Sequence, residues 1–143
     1  MKFWDSSALA PLLTEEAESA SCRALLRADT KAIVWLFTRT ELTSVLCRCA
    51  RQGLLTGAAL DKSLHRLDVT ATYWQEIDAV ALVRKRAEIL LRRAPLTAAD
   101  ALQLGAALVA VDGRPKRQGF VALDRALLAA AEREGFEAIR PGA

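Results

Sequence analysis

Residues 119–139, GFVALDRALLAAAEREGFEAI, carry the pattern that decides the fold. Residues 120–123 form a short unbroken apolar run that includes β-branched Val121, as a strand buried on both faces requires. Asp124 follows at once, in the place of a helix N-cap, and an amphipathic helix is expected over 124–134. Gly135 stops that helix, and residues 136–139 can form another short strand. Strand, acid, helix, strand is the unit of a parallel sheet crossed over by helices.

Outward from this stretch the alternation continues. Residues 2–4 (KFW) form a strand that ends at Asp5-Ser6-Ser7, with helices expected over 7–13 and 15–27. Residues 32–36 (AIVWL) read as a buried strand, and Thr38 opens a helix that reaches position 52 before Gly53 ends it. The segment 57–69 is amphipathic, with Leu60, Leu64 and Leu67 at helical spacing. A short strand is expected within 70–77, and helices over 78–92 and 97–111, followed by the basic turn-rich loop DGRPKRQG at 112–119. With no internal repeat and no linker, the expectation is one α/β domain over 1–143. It has three layers, α/β/α, around a central and mostly parallel sheet.

The 143 residues are 52% hydrophobic and 26% charged, a globular composition with enough apolar surface for a proper core. The formal net charge of +3 rises further once four acids are set aside as a site, and a basic surface around an acidic pocket suits a polyanion. Cys22, Cys47 and Cys49 form an odd set without a CxxC pair, expected to be reduced and mostly buried. His65 is the sole histidine and is expected on the surface, which disfavours zinc. No signal peptide and no membrane-crossing run is evident, so the expected location is the cytoplasm.

In a parallel sheet the C-terminal ends of the strands share one edge, and ligands bind there. Asp5 and Asp124 directly follow strands. Glu41 and Asp100 lie in the first turns of helices expected to start at the same edge. Each has a purely structural alternative. Thr38-Arg39-Thr40-Glu41 and Thr97-Ala98-Ala99-Asp100 match the capping box, while Asp5 and Asp124 stand where N-caps belong. Yet Glu41 and Asp100 are embedded in apolar sequence, and acids gathered on partly buried surfaces repel one another unless a cation is present. Hard divalent cations take oxygen ligands, so Mg²⁺ or Mn²⁺ is the expected cofactor. Such a metal activates water and neutralises phosphate charge, without a histidine or cysteine nucleophile.

Taken together, FWDSSAL (3–9), RTELTSVL (39–46), LTAADALQLGAAL (96–108) and FVALDRALLAAAEREGF (120–136) resemble the PIN-domain ribonucleases, most closely the VapC toxins of toxin–antitoxin pairs. The resemblance covers essentially the whole chain. It implies Asp5 and Asp100 as main metal ligands, Asp124 as a ligand directly or through water, and Glu41 completing a catalytic pocket. It also implies an RNA substrate, a homodimer, and an antitoxin lying near 15–27 and 38–69. Ser7 matches a small polar residue that in the family supports the first acid, with a simple helix-start hydroxyl as the alternative. Ala122 departs from the pattern, since relatives often carry a hydroxyl there. Candidate RNA contacts are Arg39, Arg48, Arg51, Arg92, Arg93, Arg114, Lys116 and Arg117. A metal-dependent phosphatase or phosphotransferase is the main rival, although its DxD motif would need an acid at position 7. A non-catalytic RNA- or partner-binding module whose acids are helix caps is the other.

Overall fold

The computed structural model describes residues 1–29 and 31–143. Five parallel strands run in the order β3-β2-β1-β4-β5: β1 Lys2–Trp4, β2 Ala32–Trp35, β3 Gln75–Ile77, β4 Gly119–Val121 and β5 Glu137–Ile139. The helices are α1 Ser6–Leu9, α2 Ser19–Ala28, α3 Thr38–Arg51, α4 Gly57–Ala71, α5 Val80–Leu91, α6 Ala98–Ala110 and α7 Arg125–Arg133. The expected three-layer α/β/α architecture is the observed one, with a sheet that is parallel throughout its paired strands.

Period-two alternation along the strands divides the core in two. Phe3, Ile33, Trp35 and Phe120 face α5, α6 and α7, meeting Val83, Leu90, Leu104 and Leu127. Trp4, Ala32, Val34 and Val121 face the other way, onto Leu9, Cys22, Leu42, Leu46 and Leu67 of α1 to α4. Phe3 and Phe120, paired across β1 and β4, stack with ring centroids 5.4 Å apart. Large side chains such as Trp4 and Trp35 are fully buried and each contribute about 2–3 kcal/mol. Among the described residues no helix is long and apolar enough to cross a membrane.

Several element ends differ from expectation, each for a local reason. The first helix is α-helical only to Leu9 and tightens into a 3-10 turn over Ala10–Leu12, where Pro11 has no N–H to give. Helix α2 starts four residues late, at Ser19. The Ser19 hydroxyl accepts from the Glu16 amide at 2.8 Å and donates to the Thr14 carbonyl at 2.9 Å, holding residues 14–18 in a turn. Thr70 and Ala71 finish α4 and do not start β3. Thr70 satisfies its hydroxyl on the Arg66 carbonyl at 2.7 Å, so its β-branch is tolerated in the helix. Of the cysteines, all free, only Cys22 is buried; Cys47 and Cys49 are partly exposed on α3. His65 is exposed, as expected.

The chain steps from β1 to β2 and β3 on one side, then returns to the other side of β1 for β4 and β5. That reversal opens a crevice at the C-terminal ends of β1 and β4. The Asp5 amide bridges the crevice floor, donating to the Val121 carbonyl at 2.9 Å.

Helices α5 and α6 approach so closely that a Cβ on Gly105 would stand 2.9 Å from the Val83 carbonyl oxygen and 3.2 Å from the Ala87 amide. Both contacts are backbone, which cannot swing aside. Gly105→Ala is therefore expected to lower stability by roughly 1–2 kcal/mol in urea unfolding, although alanine is the better helix former. A stability equal to or above wild type would show that the two helices separate freely.

Candidate active site

Each of the four acids predicted from sequence reaches the crevice edge by a different element. Asp5 follows β1 and is only 3% exposed. It is the N-cap of α1, its Oδ2 accepting from the Ser7 amide at 3.0 Å and from the Ser7 hydroxyl. Ser7 Oγ in turn accepts from the Leu123 amide at 2.9 Å. One serine thus ties the end of β1 to the segment just beyond β4, which is more than a helix-start hydroxyl does. Ala122, the position that departs from the resembled pattern, is buried.

Glu41 is half-buried in the first turn of α3, and the capping-box alternative fails for it. The N-cap of α3 is Phe37, which offers no side-chain bond. The Glu41 carboxylate instead accepts from Ser6 Oγ at 2.9 Å and Gln103 Nε2 at 3.1 Å. Gln103 is fully buried, and its amide also donates to Thr38 Oγ1 at 3.1 Å. Asp100 lies in the first turn of α6, one turn before Gln103. Only half of a capping box forms there: Thr97 Oγ1 accepts from the Asp100 amide at 3.2 Å. Asp124 is exposed and caps α7, accepting from the Leu127 amide at 2.8 Å.

The acids sense one another. Burial pushes the Asp5 carboxyl from 3.8 up to about 6; its bonds to Ser7 oppose the shift and the Asp100 charge adds to it. Burial likewise raises Glu41, helped by the charges of Asp5 and Asp100 and opposed by Ser6 and Gln103. Asp100 is raised by burial and then by Asp124. Carboxylates from four separate elements are therefore electrostatically coupled at one edge. As they stand, each is turned toward its own polar partners. Among the described residues no three His, Cys, Asp or Glu side chains are close enough to grip one ion together.

Asp29 provides the contrast. It is also buried, and burial again raises its pKa, but its net shift is downward. Trp4 Nε1 donates to it at 2.9 Å, the Lys2 amide at 3.0 Å, and the N-terminal ammonium pairs with it at 3.1 Å. Asp29 is a satisfied structural acid. Asp5 is not.

Sequence reasoning missed Ser6, Thr38, Gln103 and the exposed ring of Phe37. Gln103 left a signal: a lone amide in the apolar helix Ala-Leu-Gln-Leu-Gly-Ala-Ala-Leu must find partners when buried. Of the candidate RNA cations, Arg39 is paired with Asp68. Arg93 pairs with Glu134 at 3.7 Å, at the far end of α7 from Asp124. The loop bearing Arg114, Lys116 and Arg117 leads into the start of β4, so it lies at the opposite edge of the sheet from the acids. Arg48 is exposed and has no carboxylate partner among the described residues.

No protein-family model matches the chain, and no curated protein does. Among solved structures it is similar to a Mycobacterium tuberculosis toxin, VapC20, described as cleaving the sarcin–ricin loop. The two are 21% identical over 99% of this chain and 100% of that one, with a TM-score of 0.66. The fold is PIN-like. At this identity the likeness is one of architecture.

Between pH 3.8 and about 6 the folded chain holds a proton on Asp5 that the unfolded chain has released. Stability therefore falls as pH rises through that window and stays at the lower level above it. Asparagine caps a helix as well as aspartate does and carries no charge. Asp5→Asn is expected to raise the stability of the metal-free protein at neutral pH, by up to roughly 3 kcal/mol at 1.36 kcal/mol per pKa unit. The gap should close toward pH 4, a trend that thermal melts across this range would check. A variant less stable than wild type at neutral pH would mean that the carboxylate is not under strain.

Proposed function

We propose that this chain is a Mg²⁺- or Mn²⁺-dependent endoribonuclease, one domain acting in the cytoplasm as the toxin of a type II toxin–antitoxin pair. The observation that carries the reading is the coupling of four acids from distant parts of the chain, one of them buried with its pKa raised to about 6. Carboxylates that destabilise one another in this way are suited to a ligand that supplies positive charge. The likeness of the fold to that of an RNA-cleaving toxin supports the same reading.

The donor set fits a hard divalent cation: it is all oxygen, and no histidine or cysteine lies among the coupled acids. Asp5, Asp100 and Asp124 would hold the ion, with Asp5 fixed by Ser7 and the more exposed Asp100 and Asp124 free to turn toward it. Bound there, the metal supplies activated water and neutralises charge on the phosphate. Glu41 completes the pocket. Its carboxylate is aimed by Ser6 and Gln103, and burial among the other acids raises its pKa, which favours its holding a proton more than a free glutamate does. The exposed side of the crevice admits the phosphodiester, and the excess of arginine over the surface draws the polyanion in. A homodimer and an antitoxin that covers the acids belong to the same proposal.

Calorimetry with MnCl₂ and cleavage of total RNA test it directly. The wild type is expected to bind Mn²⁺ and cut RNA. Asp5→Asn and Asp100→Asn should each lose more than about 100-fold in both, since even residues behind a metal ligand are worth 10–100-fold. Expression of the wild type alone should slow growth, and Asp5→Asn should not. Release of inorganic phosphate from small phosphoesters without RNA cleavage would favour the phosphatase reading, and equal toxicity of wild type and mutant would sink the nuclease.

A further inference from the structure

Helix α3 begins in a way that its stability does not explain. The N-cap position prefers Ser, Thr, Asp or Asn, and filling it otherwise costs about 1 kcal/mol. Phe37 occupies it, bonds to nothing there, and leaves its ring 46% exposed. Thr38, the natural cap, sits one residue too late and is buried against Gln103. The Phe37 ring is nevertheless fixed, meeting the buried Trp35 edge-to-face with centroids 5.3 Å apart. A preorganised aromatic ring is thus offered to solvent at the end of β2, beside the acidic crevice.

The ring opens one end of a shallow cavity of about 350 Å³ lined by Phe37, Thr40, Glu41, Ser44, Val45 and Arg48. These positions form one stripe of α3, so a molecule in the cavity would lie against Phe37 and Glu41 toward one end and, at the other, against Arg48, which has no carboxylate partner among the described residues. Seven residues of helix place Arg48 roughly 10 Å along the axis from Glu41, a span of one to two nucleotides. The chemistry is mixed: an aromatic face, two hydroxyls that donate or accept, and a guanidinium. That combination recognises an unpaired nucleobase with an adjoining phosphate, because bases stack on aromatic rings and arginine takes phosphate oxygens.

We propose that Phe37, Thr40, Ser44 and Arg48 form a nucleobase subsite, which stacks an unpaired base of the RNA on Phe37 and holds a neighbouring phosphate on Arg48. The proposal rests on the nuclease reading and adds to it a requirement for a splayed base next to the cut. Ser44 and Thr40 read the base edge. Phe37 supplies affinity without choosing among bases.

The test uses the full chain carrying Asp5→Asn, so that RNA is bound and not cut, with a short fluorescein-labelled single-stranded RNA of mixed sequence followed by anisotropy. Phe37→Leu keeps an apolar side chain but removes the π face, and should weaken binding by about 10-fold, within the range that one base stack is worth. Phe37→Trp should bind as tightly as the parent or tighter. Arg48→Ala should weaken binding and flatten its salt dependence by the equivalent of about one phosphate contact. As a readout that needs no variant at position 37, uridine and adenosine 5′-monophosphates should shift the Phe37 ring resonances in NMR. Undiminished RNA binding by Phe37→Leu, or ring resonances that do not move, would overturn the subsite while leaving a wild-type nuclease intact. A wild type that neither binds nor cuts RNA would overturn both readings, a failure recognisable because it precedes any change at Phe37.

Discussion

A carboxylate buried at the end of the central strand is the constraint around which this molecule is arranged. Asp5 has almost no contact with water, faces the charges of Asp100 and Glu41, and is compensated only by Ser7 and two amides of its own helix. Asp29 shows that the same chain can hold a buried aspartate charged when it supplies an indole and an amide to Oδ2 and an ammonium to Oδ1. The difference is one of partners and not of burial. At Asp5 no ion pair forms among the described residues, and the Asp100 charge makes the deficit larger.

The parallel sheet is what creates this crowding. With β4 returning beside β1, the segments after both strands are brought to one crevice, and Ser7 bonds across it to Leu123. Helix α3 enters the same edge from β2 and brings Glu41, while α6 brings Asp100 and Gln103 on successive turns. Removing the Ser7 hydroxyl would release both the acid and the Leu123 amide. The geometry of the site and the closure of β1 on β4 are therefore the same set of bonds.

Much of this was legible in the sequence, because it depends on periodicity and on order along the chain. Apolar runs of strand length, each followed by a helical pattern, give the layers, and the positions of Asp5, Glu41 and Asp124 after their strands give the edge, while Asp100 depends on where its helix starts. What could not be read is what depends on partners far away. The Thr38–Glu41 spacing is a valid capping box by local rules, yet Ser6 and Gln103, 35 and 62 residues from Glu41, outcompete the local bond. Nor does local sequence tell which edge a basic loop occupies until strand direction is known; Arg114, Lys116 and Arg117 are at the wrong one.

The start of α3 and the environment of Asp5 share a physical logic. At both, a cheaper residue choice exists: a hydroxyl at Phe37's position, an amide at Asp5's. At both, the chain carries the less stable option, an uncapped helix with an exposed ring and a strained charge. Positions that break local rules in a fold otherwise consistent at every level are where function draws on stability. The two deficits are also complementary in kind. One calls for positive charge and the other for a planar partner, and on the proposed reading a cation with a polyanionic chain of bases would supply both. Because such ligands bind only the folded state, each would return stability in proportion to its affinity. On the proposed reading, folding and substrate binding would in this way be coupled through the same crevice.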